Sequence, residues 1–209
     1  MNLLIRKTLE HMELTFISLF IAMMIAIPLG IFLARSRRKA APIVLRFTAM
    51  IQTIPGLALI ALIVVILAAL RSVIPLSVTG MLPALIVLVL YALLPILSNT
   101  YTGIQQVSPN VKGVANAMGM TGKQILFYVE IPLSLPILIN GVRIAMVTTI
   151  GMVTLTSLVG SGGLGDLIVQ GLRTMQMGLV LAGTIPAALL AILFDTILTK
   201  AGDYFTVEC

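Results

Sequence analysis

Five long stretches of the chain carry almost no charged side chain, and this feature limits the possible folds more than any other. They cover residues 14–33, 54–70, 81–98, 137–159 and 179–199. A transmembrane helix needs about 20 predominantly apolar residues, and each stretch is close to that length. With 59% hydrophobic and 10% charged residues among 209, the composition excludes a soluble globular domain. We therefore predict an all-α, polytopic membrane protein with about five transmembrane helices.

The region before the second stretch contains a proline that divides it. Residues 42–70 are too many for one straight span and too few for two. Pro55 follows Gln52 and Thr53, and proline interrupts a helix because it lacks the backbone N–H. We predict a half-buried approach followed by a span over residues 54–70. A separate crossing over residues 43–53 is rejected, because Arg46 and Gln52 interrupt a run that is already too short.

Residues 104–136 form a polar segment between two apolar stretches, and its first half predicts a short helix. Ser108 can cap the free N–H groups of a helix start, and Pro109 suits the first helical position. Gly119 tolerates the left-handed conformation that commonly ends a helix.

The second half of this segment predicts another helix. Thr121 and Gln124 have the spacing of a capping box, in which each residue satisfies a backbone N–H of the other. We predict that Pro132 and Pro136 end this second helix and lead into the next span. The expected unit is a helix–turn–helix between two spans, which we call the polar hairpin.

The basic residues lie at the ends of the predicted spans, so they indicate membrane orientation rather than a nucleic-acid surface. If the basic patch at residues 35–39 is cytoplasmic, so are Lys112, Lys123 and Lys200. The same choice leaves outside Arg6, Lys7, Arg71 and Arg173. The excess is then inside, as the positive-inside rule requires. We predict an outside N-terminus, a cytoplasmic C-terminus and a cytoplasmic polar hairpin.

The polar hairpin resembles the cytoplasmic EAA loop of ABC importer permeases, in which a short coupling helix docks on an ATPase subunit. That pattern is Glu-Ala-Ala, three residues, Gly, nine residues and Ile-x-Leu-Pro. Ala115, Gly119 and the Val129-Glu130-Ile131-Pro132 group fall in register, whereas Gly113 replaces the acidic residue and Val114 the first alanine. The resemblance implies an ATPase-coupling loop formed by Ala115, Ala117, Met118, Gly119, Met120, Thr121 and Gln124.

Residues 160–165 read Gly-Ser-Gly-Gly-Leu-Gly, which has the letters of a dinucleotide-binding motif. We reject that interpretation, because the motif needs a preceding strand and an acidic residue about 20 positions later. With Asp166 the segment resembles the Val-Gly-Ala-Gly-Gly-Leu-Gly-Asp segment of permeases for glycine betaine, carnitine and choline. We expect an outer glycine loop that turns tightly or re-enters, formed by Gly160, Gly162, Gly163, Gly165 and Asp166.

Polar residues inside the spans are candidates for a gate or a translocation pathway. Gln52-Thr53-Ile54-Pro55 matches the osmoprotectant pattern and offers a kinked helix, which neighbouring helices can also satisfy without any gating role. In the fourth span, small residues recur every four positions at Gly141, Ala145 and Thr149 and allow close helix approach. The pathway or gate candidates are Gln52, Thr53, Pro55, Thr148, Thr149 and Thr154.

The remaining titratable residues predict no catalysis by this chain. His11 is the only histidine, so we expect neither a metal site nor a catalytic triad, and we predict that it lies at the outer interface with Glu10 and Glu13. Gly122-Lys123 lacks the other residues of a phosphate loop. Arg143 and Asp195 lie near the membrane interior and either pair or reach toward the interface.

The resemblance covers nearly the whole chain and implies one permease domain, residues 1–209, of a type I ABC importer in the bacterial plasma membrane. The chain itself would be no enzyme and bind no cofactor, since ATP and magnesium belong to the partner ATPase. The family implies two ATPase subunits, a second permease subunit (identical or paralogous) and a separate extracytoplasmic substrate-binding protein. The implied substrate is glycine betaine, carnitine or choline.

Three alternatives stay open from the sequence. A methionine-type or other amino-acid ABC importer shares the core. An ion channel would use the glycine loop as a backbone-carbonyl filter. An ion-coupled secondary transporter would use Asp195 as its coupling site. Neither an ion channel nor an ion-coupled secondary transporter would need the polar hairpin.

Overall fold

The computed structural model describes residues 3–36, 40–71 and 73–205, and within these ranges the regular secondary structure is helical. Arg37, Arg38 and Lys39 of the basic patch lie outside the described residues. The helices, in chain order, are α1 (Leu3–Arg35), α2 (Ala41–Thr53), α3 (Gly56–Leu70), α4 (Met81–Gln106), α5 (Pro109–Ala117), α6 (Gly122–Ile125), α7 (Ile131–Thr156), α8 (Gly165–Arg173) and α9 (Met177–Tyr204).

Among the described residues, four helices are long and apolar enough to cross a membrane: α1, α4, the continuous helix Gly122–Val159 and α9. α2 and α3 pass the same test only as a pair, and they meet at an angle of 101°. Counting this bent pair as one span gives five. The prediction of an all-α polytopic protein with about five spans is therefore confirmed, and so is the break at Pro55.

The helices extend beyond the apolar stretches from which they were predicted. α1 has 33 residues and begins at Leu3, eleven positions before the predicted span. A helix of that size is about 50 Å long, whereas the hydrocarbon core of a bilayer is about 30 Å thick. The first turns of α1 carry charged side chains, so an apolar pattern alone does not place them in the span. In the structure these side chains pair with one another and with Asp166.

The polar hairpin continues into the fourth span without a break. α6 passes through a π-helical segment, Leu126–Glu130, directly into α7. Pro132 lies in the first turn of α7 and Pro136 lies inside it. The prediction that these prolines end the second helix is therefore wrong. A π-helical segment lies just ahead of Pro132, and the helix continues through it and past both prolines rather than stopping.

Close packing of α4 against α1 and α7 forms the centre of the protein. A Cβ atom added to Gly141 of α7 would lie 2.6 Å from Asn99 Cβ and 2.8 Å from Pro95 O, both on α4. A Cβ atom on Gly30 of α1 would lie 2.8 Å from Thr100 Cβ. Gly141, Ala145 and Thr149 are all buried, which confirms the predicted ridge of small residues. At these positions only a small side chain lets the helices approach so closely.

The helices around this centre are less enclosed. α9 packs against α7 and α8, and Arg143 Nε lies 3.5 Å from Asp195 Oδ1, which confirms their pairing. The short amphipathic helix α8 was not predicted, because its nine residues begin with one glycine and contain another. Large apolar side chains stay exposed along α2, α3 and α9, including Ile43, Phe47, Leu57, Val65, Leu189 and Ile192.

Gly141→Ala is expected to destabilise the protein by about 1–3 kcal/mol, because the added methyl group overpacks the contact between α7 and α4. Gly151→Ala is the matched control: it lies on the same helix, and a Cβ atom there meets nothing within 4 Å. The measurement is the temperature at which the purified protein loses its monodisperse elution peak. Equal midpoints for the two variants would contradict the packing described here.

Candidate functional site

The first turn of the polar hairpin is fixed by its own backbone and side chains. Ser108 Oγ accepts a hydrogen bond from Asn110 N at 3.3 Å, and Pro109 occupies the first position of α5. α5 ends in a Schellman motif, with hydrogen bonds from Met120 N to Ala115 O at 3.1 Å and from Gly119 N to Asn116 O at 2.9 Å. Gly119 has φ +80, which confirms its predicted role as the helix stop.

The second helix of the hairpin begins with the predicted capping box. Gln124 N donates to Thr121 Oγ1 at 3.4 Å, and Thr121 N donates to Gln124 Oε1 at 2.7 Å. These reciprocal bonds confirm the capping box and orient α6 against α5. The turn geometry of the hairpin is therefore determined locally by its sequence.

One face of the hairpin exposes apolar side chains, although the segment as a whole is polar. Val114 is 61% and Met118 76% exposed on this face, and elsewhere in the hairpin Phe127 and Tyr128 of the π-helical segment are also exposed. A groove of about 370 Å³ runs along this face, lined by Asn110, Val111, Val114, Ala115, Met118, Met120 and Val129. Exposed apolar patches of this kind mark interaction surfaces.

The predicted coupling residues divide between this face and the interior of the hairpin. Ala117, Met118, Gly119, Thr121 and Gln124 are exposed, and Met120 is half-buried. Ala115 is 4% exposed, so it lines the groove from beneath and offers little surface to a partner. The prediction did not include Val111, Val114, Phe127 or Tyr128. The spacing of Val111, Val114 and Met118, at i, i+3 and i+7, is the signal that would have found the apolar face of α5.

The hairpin base contains an ionic cluster around one buried carboxylate, which sequence analysis did not predict. Glu130 is 4% exposed, and its two carboxylate oxygens face cations from two other segments. Lys112 Nζ lies 3.1 Å from Oε1, and Arg35 Nε lies 3.2 Å from Oε2. No helical period brings positions 35, 112 and 130 together, so only the tertiary structure reveals this cluster.

The glycine loop lies at the other end of α1. Gly160, Gly162 and Gly163 have φ of +81, +86 and +85, so the predicted tight turn is confirmed. Gly165 begins α8, and Asp166 follows in its first turn, where a carboxylate is stabilised by the helix dipole.

Charged side chains of α1 hold this loop. Glu10 Oε2 accepts hydrogen bonds from Gly163 N at 3.1 Å and from Lys7 Nζ at 2.8 Å. Lys7 Nζ also donates to Asp166 Oδ2 at 2.6 Å. A Cβ atom on Gly162 would lie 2.8 Å from Glu10 Oε2, so a larger residue would obstruct the contact. The loop is thus attached to the first helix through a hydrogen-bonded carboxylate.

His11 lies in the protein interior, so the prediction of an interfacial histidine is wrong. Its side chain has 0% exposure, and Nε2 lies 3.1 Å from Ile150 O of α7. Because α1 begins at Leu3, residue 11 falls more than two turns inside a helix and faces α7. Glu13, which was predicted beside it, is exposed.

Hydrogen bonds to α4 hold the bend at Pro55. Gln52 Nε2 donates to Tyr91 O at 2.7 Å, and the Tyr91 hydroxyl donates to Ile54 O. Thr53 is exposed, and its hydroxyl donates to Met50 O at 2.7 Å. Pro55 is exposed at the bend itself. Hydrogen bonds to one neighbouring helix therefore hold the 101° bend.

Of the three threonines proposed on α7, only some reach an open surface. Thr148 is exposed, Thr154 is half-buried and Thr149 is buried against the bundle. An exposed stripe runs along this helix at spacings of three or four residues, formed by Asn140, Ile144, Thr148, Gly151, Leu155 and Leu158. A Cβ atom on Gly56, the first residue of α3, would lie 2.8 Å from Met152 and 3.5 Å from Leu155. The α2–α3 bend therefore lies beside the stripe.

Comparison with protein families gives a match over most of the chain. Residues 26–204 match the sequence model of the family described as "Binding-protein-dependent transport system inner membrane component". The glycine betaine/carnitine/choline transport system permease protein OpuCB of Bacillus subtilis is 40% identical over 195 residues, covering 93% of this chain and 85% of the relative. The carnitine transport permease protein OpuCD of Listeria monocytogenes is 41% identical over 190 residues, covering 90% of this chain and 80% of the relative.

Solved structures share the fold at lower sequence identity. The chain superposes on a structure of the MetNI methionine ABC transporter in an inward-facing conformation with a TM-score of 0.83 and 23% identity, covering 98% of this chain and 97% of the other. An amino acid ABC transporter gives a TM-score of 0.69 at 19% identity, covering 97% and 92%. The chain therefore shares the fold of these transporter chains.

Glu10→Ala is expected to increase hydrogen exchange at the amides of residues 160–165 by roughly tenfold or more, since a hydrogen bond to a charged group contributes about 1.5–3 kcal/mol. The matched control is Glu13→Ala, on the same helix but with an exposed side chain. The measurement is exchange followed by mass spectrometry on the protein in lipid nanodiscs. Unchanged protection in Glu10→Ala would contradict the attachment of the loop to α1.

Proposed function

Because the chain belongs to the family of binding-protein-dependent transport system inner membrane components, we propose that it forms the translocation pathway of an ATP-driven importer for a quaternary ammonium osmoprotectant. The substrate group is glycine betaine, carnitine or choline. In this proposal a separate binding protein delivers the substrate, and ATP hydrolysis takes place in partner subunits.

The observation that carries the proposal is the exposed apolar face of the polar hairpin. A hairpin that needs only to connect two spans has no reason to expose Val114 and Met118 to water. A partner that inserts an apolar or aromatic side chain into the adjoining groove would remove this surface from water. An ATPase subunit is the partner that the family implies, and the chain itself would then bind neither ATP nor magnesium.

The substrate assignment rests on the relatives, with support from composition. The relatives at about 40% identity are named for glycine betaine, carnitine and choline, whereas the methionine transporter shares the fold at 23%. A quaternary ammonium group is best bound by aromatic rings. The chain has no tryptophan, four tyrosines and seven phenylalanines, so we infer that selectivity resides mainly in the binding protein.

The pathway is proposed to follow the exposed stripe of α7. Thr148 supplies a hydroxyl on this stripe, and Gly151 leaves space beside it. The neighbouring α2–α3 bend, with Thr53 and Pro55 at its surface, is the proposed gate. A second permease subunit, identical or paralogous, would complete the channel opposite the stripe and cover apolar side chains left exposed on α2, α3 and α9.

The proposed orientation places the polar hairpin in the cytoplasm and the glycine loop outside, in a bacterial plasma membrane. The positive-inside rule supports this choice, because Lys112 and Lys123 then lie inside with the basic patch. The N-terminus would be outside and the C-terminus inside. In this orientation the hairpin meets the ATPases and the glycine loop meets the binding protein.

The test is to replace Val114 and Met118 by Glu and to reconstitute the variants with the ATPase and the binding protein. We expect both variants to lose co-purification of the ATPase and at least about 90% of ATP-driven betaine uptake, because a buried unpaired charge opposes docking. The matched control is Val73→Glu, a similarly exposed apolar residue between α3 and α4 that lies outside the hairpin.

Two results would contradict the proposal. One is normal ATPase binding by the Val114→Glu and Met118→Glu variants. The other is high-affinity betaine uptake by the wild-type complex when the binding protein is omitted. A complex that transports methionine but not betaine, carnitine or choline would refute the substrate assignment alone.

A further inference from the structure

Glu130 is the only acidic residue in residues 104–136, and it is turned into the protein rather than toward a partner. It is the last residue of the π-helical segment and directly precedes α7. The acidic residue of the family pattern is replaced by Gly113, which is exposed with open space around its Cα. The single carboxylate of this hairpin is therefore available for an internal contact.

The two cations that meet Glu130 also bind main-chain carbonyl groups. Arg35 Nη2 donates to Gly122 O at 2.8 Å, and Lys112 Nζ donates to Ile104 O at 3.1 Å. Arg35 lies in the last turn of α1, and Ile104 lies in the last turn of α4. The Ile104 carbonyl lies in the last turn of α4, where carbonyl groups lack intrahelical partners and favour cations, whereas Gly122 is the first residue of α6.

One carboxylate thus connects five elements at this end of the bundle. Through Arg35 and Lys112 it joins α1, α4, α5, the start of α6 and the start of α7. Gln105 Nε2 adds a direct bond between α4 and α1, donating to Ala34 O at 2.7 Å. We call Arg35, Lys112 and Glu130 the hairpin clamp. Because Glu130 is buried, its ion pairs are screened by salt much less than exposed pairs are.

α5 depends on such a connection because it has little packing of its own. It has nine residues, of which only Ala115 is buried, and an isolated helix of this length is unstable in water. Its own covalent links are a tight turn to α4 at one end and a tight turn to α6, which continues into α7, at the other. Without a rigid attachment at its base, a force applied to its apolar face would bend the hairpin rather than move the spans.

We propose that Glu130 is a positioning residue which, through the hairpin clamp, makes the coupling hairpin, α1 and α7 move as one rigid unit during transport. The inference rests on the proposed function. It assigns the transmission of movement to a buried carboxylate inside the permease, in addition to the surface on which the ATPase docks.

The experiment measures ATP hydrolysed per betaine transported in the reconstituted complex carrying Glu130→Gln. We expect the variant to bind its ATPase, since the apolar face is unchanged, and to hydrolyse ATP. Uptake should fall so that the ratio of ATP to substrate rises about tenfold, the scale of coupling effects of single residues. The control is Lys123→Met, which removes an exposed cation of the same hairpin and should leave the ratio unchanged.

A charge exchange separates coupling from folding. The triple variant Arg35→Glu/Lys112→Glu/Glu130→Arg inverts every charge of the clamp, leaves one cation between two anions, and should restore part of the lost coupling. Spin labels at Asn116→Cys and Phe32→Cys, both at exposed positions, provide a second readout in a Cys209→Ser background. The distance distribution should broaden in Glu130→Gln and narrow again in the exchange variant.

The outcomes distinguish a failure of this inference from a failure of the proposed function. An unchanged ratio and an unchanged distance distribution in Glu130→Gln, with normal wild-type transport, would overturn this inference and leave the proposed function intact. If Glu130→Gln fails to assemble, an exchange variant that assembles but remains uncoupled would overturn the inference as well. A wild-type complex without ATP-driven uptake would overturn both.

Discussion

The attachment of α1 at both of its ends is the constraint on which the rest of the structure depends. At one end Lys7 and Glu10 hold the glycine loop and Asp166, and at the other Arg35 meets Glu130 and the hairpin backbone. Between these ends, Gly30 allows α1 to lie directly against α4. Since the glycine loop follows α7 and the hairpin precedes it, α1 and α7 are joined at both ends. Because α1 is attached to α7 at both ends, the two helices can tilt together but cannot slide along each other.

This arrangement separates a rigid part of the molecule from a more adaptable one. α1, α4 and α7 pack through glycines and small residues, where few alternative contacts are available. α2 and α3 meet at a bend held by Tyr91, and most of their apolar side chains are exposed. A movement received by the hairpin would therefore reach the rigid part first and alter the bent pair beside the α7 stripe. In the proposed function the hairpin would act as the lever and the bent pair as the gate.

The features that follow local rules could be predicted from the sequence, and those that depend on tertiary contacts could not. Ser108, Gly119 and the Thr121–Gln124 box obey capping rules that act within a few residues, so the two helix starts and the turn of the hairpin were predicted. The prediction at Pro132 and Pro136 was wrong because a proline can either end a helix or lie inside one. Here both prolines lie inside a helix that follows a π-helical segment. His11 and Glu130 carry polar side chains that composition assigns to surfaces, yet each is buried by a partner far along the chain. Neither Ile150 nor Arg35 could be identified as such a partner without the fold.

The most direct test of the whole account is the side of the membrane on which the polar hairpin lies. Lys123→Cys, an exposed hairpin residue, and Met175→Cys, an exposed residue between α8 and α9, would each be made in a Cys209→Ser background and treated with a membrane-impermeant thiol reagent. The account predicts that Met175→Cys reacts in intact cells, whereas Lys123→Cys reacts only after the membrane is permeabilised. Reaction of Lys123→Cys in intact cells would place the hairpin outside, away from any ATPase, and would contradict the importer function.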